Sequence, residues 1–163
     1  MTPVDCVMKI VADENLAFTD YFFSEFGKIE QKAGRTLSHA DVKDAEALLV
    51  RSVTQVNEIL TQNTDIKFVG SATIGTDHLD IQALEKQCIS WSNAAGCNAQ
   101  AVSEYVITAL LHIQPQLLNK GSYFTLGVIG LGNVGSRLAA MAKLLGWKVI
   151  GTDPFVQCTH VEQ

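Results

Sequence analysis

The segment Gly130-Leu131-Gly132-Asn133-Val134-Gly135 matches the spacing G-x-G-x-x-G. Glycines at these intervals can turn a strand sharply into a helix and let backbone N–H groups approach a pyrophosphate. Alone the pattern is weak, because glycine is common. Its setting strengthens it. The apolar run Leu126-Gly127-Val128-Ile129 precedes it, and an apolar-periodic stretch from Val134 to Leu145 follows. A second apolar run, Lys148 to Thr152, then ends at Asp153. Strand, glycine turn, helix, strand and terminal acid form the βαβ unit that binds dinucleotides. Gly130 would permit the turn, Gly132 would expose amides to phosphate, and Gly135 would let helix and strand pack closely. Asn133 and Val134 would sit in the first helical turn, where unpaired N–H groups and about half a positive charge face the phosphates. Asp153 would accept hydrogen bonds from the adenosine ribose. Its charge opposes a 2′-phosphate, so NAD is expected over NADP. Arg137 either softens that preference or is a solvated surface charge. The competing reading of the whole motif is a glycine-rich turn needed only for packing.

Three further segments gather polar and small residues just past apolar runs. They are Val50-Arg51-Ser52-Val53-Thr54, the stretch from Gly70 to Asp80 (GSATIGTDHLD), and Asn93-Ala94-Ala95-Gly96-Cys97-Asn98-Ala99. Open α/β sheets bind ligands at such strand carboxyl ends.

The elements that must position these segments alternate. Apolar runs at Met8–Ala12, Ala47–Val50, Phe68–Ser71, Thr125–Ile129 and Lys148–Thr152 read as strands, with weaker ones at Lys28–Gln31 and Ile89–Ser92. Helical spacing appears over Phe18–Phe26, Leu79–Lys86, Ala99–Ile113 and Val134–Leu145. Ser38 with Asp41 reads as a helix start, and Gly146 as a helix end. Thr54 reads as a helix cap. This alternation predicts an α/β fold with parallel sheets, a boundary near Asn93–Gly96 and a loop from Pro115 through Ser122.

The 163 residues, 47% hydrophobic and 18% charged, exclude a disordered polymer, a collagen-like repeat and a coiled coil. Twelve Lys+Arg against 17 Asp+Glu, with no basic stripe, argue against a nucleic-acid partner. Cys6, Cys88, Cys97 and Cys158 are scattered and read as free thiols in a reducing cytoplasm, with no metal site. Cys97 reads as a small buried residue. The first residues lack the features of a secretory signal, and Ala101–Ile113 is too short and too polar to span a bilayer. No membrane partner is expected.

In this order, the polar segments and the glycine fingerprint resemble the D-isomer-specific 2-hydroxyacid dehydrogenases. The likeness runs from Met8 to Asp153 and includes Asp13-Glu14-Asn15, Phe68-Val69-Gly70 and Gly96-Cys97-Asn98-Ala99. It implies a flavodoxin-like N-terminal lobe, residues 8–95, that binds substrate. The first βαβ of a truncated Rossmann NAD-binding domain would follow, residues 96–163. It implies NAD-dependent oxidation of a small phosphorylated 2-hydroxy acid, and a homodimer for the full-length enzyme. By resemblance, Ser52 and Thr73 contact substrate, and Arg51 anchors an anionic group. The alternatives are a cap or turn for Ser52 and Thr73, and a surface ion pair for Arg51. His78 is given no proton-transfer role and reads as a packing histidine. The family's catalytic arginine, glutamate and histidine lie downstream of Asp153, where ten residues remain. No catalytic residue is therefore assigned, and this polypeptide is expected not to turn over substrate unaided. Two other readings stay open. One is a non-catalytic NAD-binding or interaction module. The other is part of a related enzyme such as a phosphoglycerate dehydrogenase.

Overall fold

A computed structural model describes residues 7–115 and 124–156. Cys6, Cys158, His160 and most of the loop from Pro115 to Ser122 lie outside the described residues. The chain divides after Ala95 into two compact units.

In the first unit, strands β1 (Met8–Asp13), β2 (Gly27–Lys32), β3 (Ala47–Val50), β4 (Phe68–Ser71) and β5 (Ser90–Asn93) form one parallel sheet. Their order is β2-β1-β3-β4-β5, the flavodoxin-like arrangement. Successive side chains in a strand point to opposite faces, so each apolar run serves two cores. Val11, Leu48, Val50 and Val69 face one side, and helices α2 (His39–Val42), α3 (Glu58–Thr61) and α4 (Ile81–Lys86) close it with Val42, Leu60 and Leu84. Ile10, Ala12, Ala47 and Leu49 face the other side, where helix α1 (Thr19–Phe23) adds Phe23. A groove of about 270 Å³ lined by Ile10, Phe23, Phe26, Ala47, Leu49 and Phe68 stays open there.

In the second unit, helix α5 (Ala99–Ile113) is followed by strand β6 (Thr125–Ile129), helix α6 (Asn133–Leu144) and strand β7 (Lys148–Thr152). β6 and β7 pair in parallel across α6. Their inner face carries Val128 and Val149, which join Ile107, Leu131, Ala139, Ala142 and Trp147 in one core. The Phe124 ring meets Trp147 edge-on, with centroids 4.9 Å apart. The one hydrogen of the buried Ser103 hydroxyl is shared between Ala99 O on its own helix, at 2.8 Å, and Val134 O on α6, at 3.2 Å, which ties the two helices together.

The expected strands and longer helices are present, and the differences have local causes. Ile89 does not open β5: its N–H bonds Leu84 O while Cys88 takes φ +57°, so Ile89 finishes α4. Helix α1 is shorter than its apolar spacing suggests, because Phe18 is left-handed and the chain turns at Phe26 into β2. Helix α3 escapes periodicity because it is a single turn. Its signal is Asn57, whose Oδ1 accepts Leu60 N–H at 3.0 Å. Thr54 caps no helix: its buried hydroxyl donates to Gly34 O at 3.0 Å. At Ser38 the helix start is as read, since Asp41 accepts both the Ser38 N–H and its hydroxyl. Gly146 ends α6 at φ +82°.

Candidate functional site

The sheet of the first unit reverses its strand order between β1 and β3, and an open α/β sheet makes a crevice there, outside the strand carboxyl ends. Asp13 ends β1 and Arg51 follows β3, so the two flank that crevice. Arg51 Nε lies 3.1 Å from Asp13 Oδ1. The Asp13 side chain is 1% exposed and that of Arg51 34%. Asp13 Oδ1 also accepts the Asn15 N–H at 2.8 Å. The Nε contact is an ion pair without hydrogen-bond alignment, and Asp13 Oδ2 has no hydrogen-bond partner among the described residues. Gly34 sits against this oxygen, where a Cβ would come within 2.1 Å of Oδ2. A buried carboxylate thus holds one edge of the guanidinium. A guanidinium has five N–H donors in a fixed fork, which suits a carboxylate or phosphate.

Beside this lies a cleft of about 170 Å³ lined by Ser52, Gln55, Thr73, Gly75, Asp77 and His78. The fold therefore brings Ser52 and Thr73 together, while Arg51 is not part of that lining. Ser71, buried at the end of β4, links the cleft to the interior. Its hydroxyl lies 2.8 Å from Thr73 Oγ1 and 2.8 Å from His78 Nε2. His78 is buried, and burial holds its imidazole below the usual histidine range against the opposing charge of Asp77.

In the second unit the three glycines differ in what surrounds them. Gly130 has φ +88°, a conformation that L side chains rarely adopt. Gly132, the N-cap of α6, has nothing within 4 Å of where a Cβ would stand, so this side of the loop is open. Gly135 is closed: a Cβ there would lie 1.8 Å from Gly130 O. Among the described residues, no side chain caps the α6 N-terminus. The exposed Asn133 side chain lies beside Gly96, whose Cβ position is 3.0 Å from its Cγ. Val134 lends its carbonyl to Ser103, and Arg137 is exposed.

Asp153 follows β7, and its Oδ2 accepts the Leu131 N–H of the glycine loop at 2.7 Å. Its Oδ1 accepts Phe155 N–H at 2.8 Å and Val156 N–H at 3.0 Å. The Phe155 and Leu131 N–H groups, then that of Val156, hold its carboxyl below the usual carboxylate range. Gly132, the first turn of α6 and Asp153 fit the diphosphate and ribose of a dinucleotide: an open cradle, uncapped N–H groups and an ionised acceptor.

Two residues of this architecture were missed in the sequence, Asp13 and Ser71. Asp13 carries the signal that identified Asp153, an acid closing an apolar run. Ser71 carries none, because a serine ending a strand is ordinary. Cys97 is exposed, not a buried small residue, because the turn before α5 turns it outward. Cys88 is likewise an exposed free thiol. Among the described residues, no helix is long and apolar enough to cross a membrane.

A family profile described as "D-isomer specific 2-hydroxyacid dehydrogenase, catalytic domain" matches residues 10–155. An erythronate-4-phosphate dehydrogenase of Acinetobacter baumannii is 77% identical over 155 residues, 95% of this chain and 44% of that protein. One from Pseudomonas syringae pv. tomato is 47% identical over 150 residues, 90% of this chain and 39% of that protein. The chain thus spans less than half the length of these relatives. Among solved structures, an acyclic imino acid reductase in complex with NADPH and D-Arg superposes with a TM-score of 0.73 at 20% identity, covering 96% of this chain and 60% of that one. An NAD⁺-bound 3-phosphoglycerate dehydrogenase of Entamoeba histolytica does so at 0.70 and 23% identity, covering 95% and 57%. These two likenesses establish the fold. With the profile spanning both units, the chain belongs to the D-isomer specific 2-hydroxyacid dehydrogenase family.

Proposed function

We propose that this chain is the substrate-recognition and first nucleotide-binding portion of an erythronate-4-phosphate dehydrogenase, acting in pyridoxal 5′-phosphate biosynthesis. The observation that carries this reading is the 77% identity, over 95% of the chain, to a dehydrogenase of that name. Residues 8–95 form the substrate domain and residues 96–163 the beginning of the NAD domain. Ser52 and Thr73 donate hydroxyl hydrogens to the 4-phospho-D-erythronate anion, and Arg51, held by Asp13, pairs with one of its charged ends. The N–H groups at Gly132, Asn133 and Val134 receive the pyrophosphate, and Asp153 receives the ribose hydroxyls. When bound, NAD would supply the hydride acceptor. Two described histidines have defined partners: His39 Nε2 meets Gln62 O at 2.8 Å and His78 Nε2 meets Ser71 Oγ at 2.8 Å. As the family resemblance implies, proton abstraction is assigned to the part of the full-length enzyme beyond this chain, and that enzyme is taken to be a cytoplasmic homodimer.

Calorimetric titration of the 163-residue chain tests the reading. NAD is expected to bind more tightly than NADP, and Asp153→Ala to weaken NAD roughly tenfold, as loss of a charged hydrogen-bond acceptor does. No turnover of 4-phospho-D-erythronate with NAD is expected from this chain alone. Equal NAD affinity in the Asp153→Ala variant, or normal turnover, would overturn the assignment.

A further inference from the structure

The cleft at Ser52 and Thr73 is backed by three hydrogen-bonding groups in series: Thr73 Oγ1, Ser71 Oγ and His78 Nε2, each 2.8 Å from the next. Ser71 and His78 are 5% exposed, so water does not readily replace either partner. A hydroxyl has one hydrogen to donate and two lone pairs to accept with. The series therefore has two internally consistent directions. In the first, His78 Nε2 is bare, Ser71 donates to it and Thr73 donates to Ser71. Thr73 then shows only lone pairs to the cleft and repels an anion. In the second, His78 Nε2–H donates to Ser71 and Ser71 donates to Thr73. The Thr73 hydrogen is then free to leave its long 3.4 Å contact with Gly75 O and point at a ligand oxygen.

We propose that His78 is a positioning residue: as the Nε2–H tautomer it sets the direction of the Ser71 hydroxyl, so that Thr73 donates to an anionic oxygen in the cleft. This rests on the reading of Thr73 as a substrate contact and goes beyond it, because it assigns the donor polarity of that contact to a buried histidine. A packing histidine would fill the space equally well and would not couple to Thr73.

The test uses 4-phospho-D-erythronate titrated into the whole 163-residue chain, with circular dichroism to confirm folding of each variant. Thr73→Val and Ser71→Ala are each expected to weaken binding about tenfold, the scale of one hydrogen bond to a charged group. His78→Phe, which keeps a ring and removes the nitrogen, is expected to match them. His78→Gln, which can return an N–H to Ser71, is expected to recover most of the loss. In the Thr73→Val background, His78→Phe is expected to change affinity less than twofold, because the relay has no further hydroxyl to orient. Imidazole nitrogen resonances are expected to show His78 Nε2 protonated. If His78→Phe does not fold, Ser71→Ala and the nitrogen spectrum decide.

A bare Nε2, a His78→Phe or Ser71→Ala affinity within twofold of the parent, or losses that multiply in the double variant would each overturn the relay while leaving Thr73 as a contact. No effect of Thr73→Val, or no binding by the unaltered chain, would remove the substrate reading and the relay with it.

Discussion

At the scale of single residues, Asp153 and His78 have protonation equilibria shifted by their surroundings. Asp153 is held below the usual carboxylate range by the backbone N–H groups that point at it, and one of them belongs to the glycine loop. The residue thus braces the glycine turn, and the proposed function adds a second task, accepting the ribose hydroxyls. His78 is held below the histidine range by burial. The folded chain thus binds a proton there less readily than the unfolded chain, whose histidine titrates near 6.5. At neutral pH both forms are uncharged at His78 and it adds no pH dependence. As pH falls through about 6.5 the unfolded state takes up the proton first, so stability drops towards the lower folded value. Urea unfolding at pH 7.5 and 5.5 is expected to show a loss on acidification that is smaller in His78→Gln. An equal loss in both proteins would mean that His78 is not the titrating group.

At the scale of elements, the glycine spacing is a packing requirement as well as a chemical one. Helix α6 approaches β6 so closely that Gly135 has no room for a methyl group beside Gly130 O. Since the obstacle is backbone, a side chain cannot swing aside. Gly135→Ala is expected to destabilise the second unit by about 1–3 kcal/mol and to abolish NAD binding. Thermal unfolding and NAD titration check both parts, and a variant with parental stability would contradict the geometry. Gly132 differs, since space is open around it, and the proposed function places the diphosphate there. The sequence pattern treats the two glycines alike.

At the scale of the whole chain, the two units are unequally built. The first has five strands and a closed core on one face. Among the described residues, the second has a two-stranded sheet with Ile129 93% and Ile150 44% exposed on its outer face, and Leu144 88% exposed on α6. A two-stranded sheet gains little independent stability, and uncovered apolar faces favour association. Amide exchange is therefore expected to be faster in β6 and β7 than in β1 and β3, with concentration-dependent association of the isolated chain. Uniform protection across both sheets, or a monodisperse monomer at high concentration, would show that the second unit is better covered than its exposures imply.

Much of this was legible in the residues. Apolar runs and glycine punctuation specify strands and long helices through local sterics and periodic burial. β3, β4, β6, β7 and α5 accordingly lie where their patterns place them. Single-turn α3 was not legible, since four residues hold no period. The turn at the glycine fingerprint and the place of Asp153 after β7 could be read because a βαβ unit holds them at set intervals along the chain. The partners of Arg51 and Thr73 could not. Asp13 is brought to Arg51 by the pairing of β1 with β3, and His78 to Ser71 by the loop that returns after β4. The sequence by itself determined the fold class, the family likeness and which polar residues end the strands. Only the tertiary structure decided which of them meet, because the Asp13–Arg51 contact depends on strand order and the Thr73–Ser71–His78 contacts on the path of the loop after β4, and neither leaves a spacing to read.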